Sequence, residues 1–264
     1  MKKLIFLAVA LTISFNLMSQ TEGTGKDIST DPKRNPKAQQ TTQSGTSTKQ
    51  ITSDVGESPK EVTPKSVAAA KQLIELPQPS KSRKCDIMQA LGNRKSTRNM
   101  KAEHVSLQDL SDILWAAKGV NRPDENKMTS PTARNSQEIE VYLCRPEGVY
   151  IYLNEKNALE LVSDKNIFKE LNGTRPTGAL DILLIVADLS RYNGYSPNGD
   201  NTHFYEMGAV DAGIVSQNIS LMCAAANIGT VPRAMMDHEN IYKILDFGKN
   251  QVLWLNHPIG YFEK

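Results

Sequence analysis

Cysteine is scarce in this chain of 264 residues: Cys85, Cys144 and Cys223, with no C-x-x-C pair. Three cysteines allow at most one disulfide, which excludes a disulfide framework, and their spacing leaves a structural zinc site without ligands. Histidine is equally thin. His104, His203, His238 and His257 lie far apart, none with a second ligand at helical or hairpin spacing, so no metal centre is expected and each reads as solvent-facing or structural. There is no G-x-S-x-G nucleophile elbow, no Walker loop and no G-x-G-x-x-G, which argues against a P-loop and a Rossmann dinucleotide site. An excess of one charge is also missing: 31 Lys and Arg against 29 Asp and Glu leave a net charge of +2. A nucleic-acid binder needs a strong basic excess or a basic face, so a small ligand is the default partner.

Long hydrophobic runs are few, and the one at the amino terminus is too short and too interrupted to favour a spanning helix. The longest opens the chain, "MKKLIFLAVALTISFNLMSQ", where two lysines precede an apolar stretch interrupted by Thr12, Ser14 and Asn16. That layout predicts a secretory signal over residues 1–20, hence an exported, periplasmic or extracytoplasmic protein. "NLMSQ" lacks an A-x-A cleavage site, so an uncleaved membrane tether stays open; no cysteine follows to accept a lipid anchor. Residues 21–66 are Thr, Ser, Gln, Lys, Pro and Gly with almost no large apolar side chain, the composition of a disordered linker. Residues 67–264 remain for one domain.

Within that domain "SVAAAKQLIELPQP" reads as a short helical pattern ending in an extended piece, and "CDIMQALGN" as a helix closing at Gly92-Asn93. "SLQDLSDILWAAKGV" carries a capping box, Ser106 with Asp109, and an apolar face of Leu107, Leu110, Ile113, Leu114 and Ala117. "EIEVYLCR" and "GVYIYLN", separated by "PE", predict an antiparallel hairpin. "ALDILLIVADL" predicts a strand covered on both faces. "YEMGAVDAGIVSQNISLMCAAANIG" predicts a long buried helix rich in small residues, and "VLWLNHPIGYF" a last strand. Helices and strands mix without a βαβ rhythm, so the class is α+β.

The basic cluster "RKSTR" falls just after the turn at Asn93. Arg94 and Arg98 offer forked donors that match phosphate, Lys95 a point charge, and Ser96 and Thr97 hydroxyls that complete an oxygen cage. A short cationic run is equally the mark of a solvated turn. Taken alone, it leaves both readings open.

Seven collinear segments bear on the choice: "ELPQP", "ALGNRKSTRNM", "LSDILWAAKGVN", "SPTARNSQEIEVYL", "EGVYIYL", "FYEMGAVDAGIVSQNISLMCAAANIGTV" and "HPIGY". Together they resemble the nitroreductase-like FMN-dependent family, and especially its SagB-type dehydrogenase branch. The resemblance implies a central, mostly antiparallel sheet flanked by helices, and a homodimer with FMN at two sites in the subunit interface. It implies that Arg94, Lys95, Ser96 and Arg98 hold the FMN phosphate and ribityl chain. Pro131, Thr132, Ala133 and Asn135 would belong to a loop laid over the partner's flavin. Pro232, Arg233, Ala234 and Met235 would be contact positions, with the backbone at Arg233 and Ala234 facing flavin N5, where a donor meets developing negative charge. Asn172 and Arg175 would stand at the pyrimidine edge, where a cation stabilises the reduced ring. The chain departs from the family in two places. Of the four residues beyond Gly260 only Lys264 is basic, where relatives carry a further basic pair, and Arg134 of "PTAR" stands where the branch carries a glycine.

The function implied is an FMN-dependent oxidoreductase transferring two electrons in ping-pong fashion. NAD(P)H is the usual family donor but is not expected outside the cytoplasm, so export implies a membrane quinol or a redox protein instead. The other reading is an exported, non-catalytic flavin-binding or carrier protein, and a third is a colourless structural protein on a long tether.

Overall fold

Along "DILLIVAD" the side chains alternate, Ile182, Leu184 and Val186 to one side and Leu183, Ile185 and Ala187 to the other, and every one of them is fully buried. Such a strand must be covered on both faces, which makes it the centre of three layers. The computed structural model describes residues 72–263; the expected signal and linker, and Lys264, lie outside the described residues.

In chain order the elements are β1 (Leu73–Glu75), α1 (Ile87–Asn93), α2 (Leu107–Lys118), a small hairpin of β2 (Val120–Arg122) and β3 (Lys127–Met128), β4 (Ile139–Arg145), β5 (Gly148–Leu153), β6 (Ala158–Ser163), α3 (Phe168–Asn172), β7 (Asp181–Asp188), α4 (Thr202–Ala226), β8 (Gly229–Thr230), α5 (His238–Leu245) and β9 (Gln251–Gly260). Seven strands form one sheet in the order β1-β6-β5-β4-β7-β9-β8, with every neighbouring pair antiparallel. One face packs Leu110, Ile113 and Leu114 of α2 and Val215 and Ile219 of α4 against Leu183 and Ile185. The other packs Leu171 of α3 and Ile241 of α5 against Ile182 and Leu184. The predicted α+β class and antiparallel sheet are therefore found.

Helix α4 buries Phe204, Gly208, Asp211, Ala212, Val215, Ser216, Ile219, Ser220 and Cys223, one stripe at helical spacing. It has the length and hydropathy of a membrane span, but it packs on β7, β9 and α2 as a core helix does. At Gly208 a Cβ would lie 3.2 Å from that of Ala187, so the helix approaches the sheet closely there.

Several local expectations change. Leu73–Glu75 is a strand paired with β6, because its backbone completes the sheet edge; the start of the expected helical pattern, 66–71, lies outside the described residues. Leu107 is 44% exposed and leaves the apolar face of α2. The capping box is half formed: Ser106 Oγ accepts from the Asp109 N–H at 3.1 Å, while the Ser106 N–H donates to Tyr261 Oη at 3.0 Å instead of to Asp109. All three cysteines are free, and Cys144 and Cys223 belong to opposite core layers with the sheet between them.

Candidate functional site

The cationic run begins where α1 stops. Asp86 caps that helix by accepting from the Gln89 N–H at 2.8 Å, and Arg94 closes it with an extended backbone. The chain then runs along β8: the Thr97 N–H donates to Thr230 O at 2.9 Å, and Ser96 pairs with Thr230 in a parallel bridge. Gly229 permits this approach, since a Cβ there would sit 2.8 Å from Thr97 Cγ2. Arg94, Lys95, Ser96 and Arg98 are all exposed. None of the three cations has a carboxylate partner among the described residues, although Lys95 Nζ lies 5.4 Å from the centroid of the Phe262 ring.

Between α1 and the end of α4 opens a cleft of about 650 Å³, lined among others by Lys84, Asn93, Lys95, Thr97, Asn227 and Phe262. A hollow of about 310 Å³ adjoins it, walled by Lys95, Ser96, Thr97, Arg98 and Phe262. Arg94 lines neither. Both helices present their carboxyl ends, Asn93 and Ala225, to the cleft. A helix carboxyl end disfavours an anion by about 0.3–1 kcal/mol, whereas a charge-assisted hydrogen bond contributes about 1.5–3 kcal/mol. The unpaired cations therefore set the sign of the site. Lys84 is held there because the segment before it is pinned to α2: the Ser80 N–H donates to Asp112 Oδ1 at 2.7 Å, and Arg83 pairs with Asp109 and Asp112.

A second group gathers next to this one. Arg233 Nη2 donates to Asn256 Oδ1 at 2.6 Å, Nε to the same oxygen at 2.9 Å, and Nη1 to Asn172 Oδ1 at 3.2 Å and Arg175 O at 3.1 Å. Asn172, Arg175 and Arg233 thus come together, three residues beyond the Thr230 that holds the cationic segment. The expected N5-facing amide at Arg233 is corrected: its N–H donates to Asn256 O at 2.9 Å and its carbonyl accepts from Asn256 at 2.8 Å, so the ladder consumes that donor. Ala234 is exposed, and its N–H has no partner among the described residues. Pro232 and Met235 are exposed beside it, Met235 by 75%.

Behind Arg233, His257 is fully buried on β9, hydrogen-bonded through Nε2 to Ser216 Oγ at 2.8 Å and through Nδ1 to Thr230 Oγ1 at 3.2 Å. Burial pushes its imidazole down to about 3, and the Arg233 charge adds to the effect. It is a neutral strut linking α4, β8 and β9. Asn256 escaped the sequence reading, which leaves His257 as solvent-facing or structural, yet a polar pair interrupting the apolar strand "VLWLNHPIGYF" was the available signal. Lys84, Asn227 and Phe262 had none, since nothing local marks them as neighbours.

The loop of Pro131, Thr132, Ala133 and Asn135 stands elsewhere. Its Ala133 N–H donates to Asp211 Oδ2 at 2.7 Å, and Arg134, at φ 56°, occupies the left-handed region that favours glycine. Asp211 precedes Ser220, the first α4 residue to line the cleft, by nine residues, a rise of about 14 Å along the helix. Within one subunit the loop and the cationic cleft do not meet.

Sequence comparison agrees with this architecture. The model of the nitroreductase family matches residues 91–261, and the chain belongs to that family of oxidoreductases, whose members typically bind flavin. A presumptive nitroreductase of Methanocaldococcus jannaschii is 27% identical over 183 residues, covering 63% of this chain and 86% of the relative. The crystal structure of another, from Ralstonia eutropha JMP134, superposes with a TM-score of 0.67 at 28% identity, over 73% of this chain and 90% of that one. An Escherichia coli microcin synthetase complex with truncated pro-MccB17 bound shares the fold, with a TM-score of 0.55 at 18% identity over 66% of this chain and 73% of the other.

Proposed function

We propose that the protein is an exported FMN-dependent oxidoreductase acting as a homodimer, and that its style of sequence places it in the SagB-type branch of the family. The observation that carries the cofactor reading is the set of cations without carboxylate partners beside a cleft of about 650 Å³. Their donor chemistry fits a phosphate: forked guanidinium groups at Arg94 and Arg98, an ammonium at Lys95 and a hydroxyl at Ser96. The free amide of Ala234 fits an acceptor on the ring, and Asn172 and Arg175, adjoining through Arg233, fit its pyrimidine edge. When bound, FMN supplies the two-electron redox chemistry that no side chain here supplies. The chain's own work is to hold the phosphate, orient the ring and offer a backbone donor at N5.

The homodimer reading draws support from the separation along α4. Asp211, which anchors the 131–135 loop, stands about 14 Å along α4 from the cleft in one chain, and a second copy running antiparallel along α4 would bring its loop to this cleft. Export, expected from the amino-terminal sequence, argues for a membrane quinol or redox protein as donor.

The test is the visible spectrum of purified protein before and after anaerobic addition of NADH, NADPH or a quinol. A yellow protein bleached rapidly by a quinol and slowly by either nicotinamide is the expected result, with ping-pong steady-state kinetics. Rapid reduction by NADH or NADPH alone would contradict the donor assignment. Flavin reducible only by dithionite would replace the enzyme with a carrier, and a colourless protein that does not take up FMN would remove the cofactor reading.

A further inference from the structure

Beneath the 132–137 loop lie two buried carboxyl groups that the proposed chemistry does not use. Glu138 is fully buried where the loop enters β4; its Oε2 accepts from Ser136 Oγ at 2.6 Å, and its Oε1 has no hydrogen-bond partner. Asp211 of α4, 4% exposed, accepts from the Ala133 N–H at 2.7 Å and faces Glu138. Two facing carboxylates with one orphaned oxygen are a costly arrangement inside a protein. A single proton on Glu138 Oε1 removes the cost, because the orphan becomes a donor to Asp211 and one of the like charges disappears.

The loop above is one that needs holding. Arg134, Asn135 and Gln137 have φ of 56°, 55° and 54°, three left-handed residues in four positions and none of them glycine. The side chains that fix this shape come from every neighbouring element. Asp211 takes the Ala133 amide; Ser136 Oγ lies 2.8 Å from Ala133 O and 2.6 Å from Glu138 Oε2, its one proton serving either acceptor; and Thr132 Oγ1 accepts from the Gln137 N–H at 3.0 Å. Lys118 of α2 donates to Gln137 O at 3.2 Å, and Arg191, ion-paired with Glu140 at 2.6 Å and Asp188 at 3.6 Å, reaches the same carbonyl at 3.4 Å. Burial and the Arg191 charge pull the Lys118 ammonium down to about 8, which leaves it cationic at neutral pH. Tyr192, whose phenol burial holds neutral, turns its Oη towards Asp211 Oδ2 at 3.5 Å, and Arg134 lies over the Phe204 ring at 5.8 Å.

We propose that Glu138 and Asp211 are positioning residues that share one proton beneath the 132–137 loop and so hold Arg134 and Asn135 in the left-handed shape presented to the flavin of a second copy. The presentation to flavin rests on the dimeric site proposed above; the shared proton does not. Burial raises the Glu138 carboxyl above its ordinary 4.5, and the Asp211 carboxylate adds to the rise. A carboxyl raised on folding contributes its full stability below 4.5 and loses it as pH climbs through the folded value. The loop is therefore clamped at the acid end and released at the alkaline end.

Hydrogen–deuterium exchange on the flavin-free full chain decides the matter, with rates corrected for the intrinsic pH dependence of amide exchange. Between about pH 5 and 7, below the range in which Lys118 gives up its proton, wild-type amides 132–138 are expected to lose about tenfold or more of their protection, while those of β7 follow the intrinsic trend. Glu138→Gln puts a permanent amide donor in place of the acid proton and should keep the loop protected throughout; Asp211→Asn, which places the donor on the other side, should also flatten the profile. A wild-type loop with no step of its own, or a Glu138→Gln protein that keeps the step, overturns the shared proton. FMN titrations on the same proteins test the presentation separately: an affinity that falls along the same step, and is flat in Glu138→Gln, supports it. A loop that loosens with pH while FMN affinity stays unmoved upholds the proton and removes the loop from the flavin site.

Discussion

Arginine takes opposite roles at positions that the sequence lists alike. Arg94 and Arg98 have no carboxylate partner among the described residues, whereas Arg233 is saturated by Asn256, Asn172 and two carbonyls. A charged fork already full of acceptors holds structure; one without them is available to a ligand. Replacing Arg94 and Arg98 together with alanine is accordingly expected to weaken FMN binding about 100-fold or more, at about 1.5–3 kcal/mol per charge-assisted contact, with circular dichroism unchanged. Arg233→Lys should instead lower the melting temperature, because an ammonium cannot span Asn256 and Asn172. His257 makes the third residue-level expectation. Its folded value of about 3 lies below the ordinary 6.5, so the unfolded chain binds the extra proton in between. Stability falls as pH drops from 6.5 towards 3, by an amount on the order of a few kcal/mol. Urea unfolding at several pH values should show that slope in wild type and a shallower one in His257→Gln.

At the scale of elements, the decisive feature is the contact between the cationic segment and β8. Ala at Gly229 would place a methyl 2.8 Å from Thr97 Cγ2 and 3.1 Å from Phe262 Cδ1. Overpacking of this kind costs about 1–3 kcal/mol. The segment, carried on two backbone contacts, gives way before the sheet does. Gly229→Ala should therefore release FMN, seen as flavin in the filtrate after ultrafiltration, with little change in melting temperature. Ile113→Ala, deep under α2, is the converse case: it should cost about 2–5 kcal/mol of stability and leave the cleft as it is. The helix and strand assignments that matter here were legible because they rest on local periodicity. The apolar stripe of α2, the alternation of β4 and β5 and the continuous run of β7 each name their element. Leu107 was misjudged because the 3.6 period gives a direction and not the width of the neighbour that covers it. β1 escaped because a three-residue edge strand owes its conformation to the strand beside it.

The whole molecule brings the 94–98, 172–175 and 230–235 segments to one place and leaves the anchor of the 131–135 loop, Asp211, about 14 Å away along α4. If two copies complete each site, defects on opposite sides should complement. Mixing an Arg94→Ala/Arg98→Ala chain with an Asn135→Ala chain after unfolding and refolding would give heterodimers holding one intact and one doubly defective site. With random pairing, about a quarter of wild-type flavin sites should return, measured as bound flavin per subunit. Recovery no greater than the sum of the separate variants would place both residue sets at independent sites.

By itself the sequence determined the class of fold, the longer helices and strands in their order and the residue types able to hold a phosphate, because periodicity, capping and donor chemistry act over a few residues. Tertiary structure decided which donors are free. The Arg233 amide is spent on a strand that arrives 23 residues later, and the carboxyls of Glu138 and Asp211 face each other across 73 residues of chain. It also decided that "RKSTR" lies against β8 beside an open cleft and stands as an unpaired cluster, since pairing and desolvation depend on neighbours that only the folded sheet supplies.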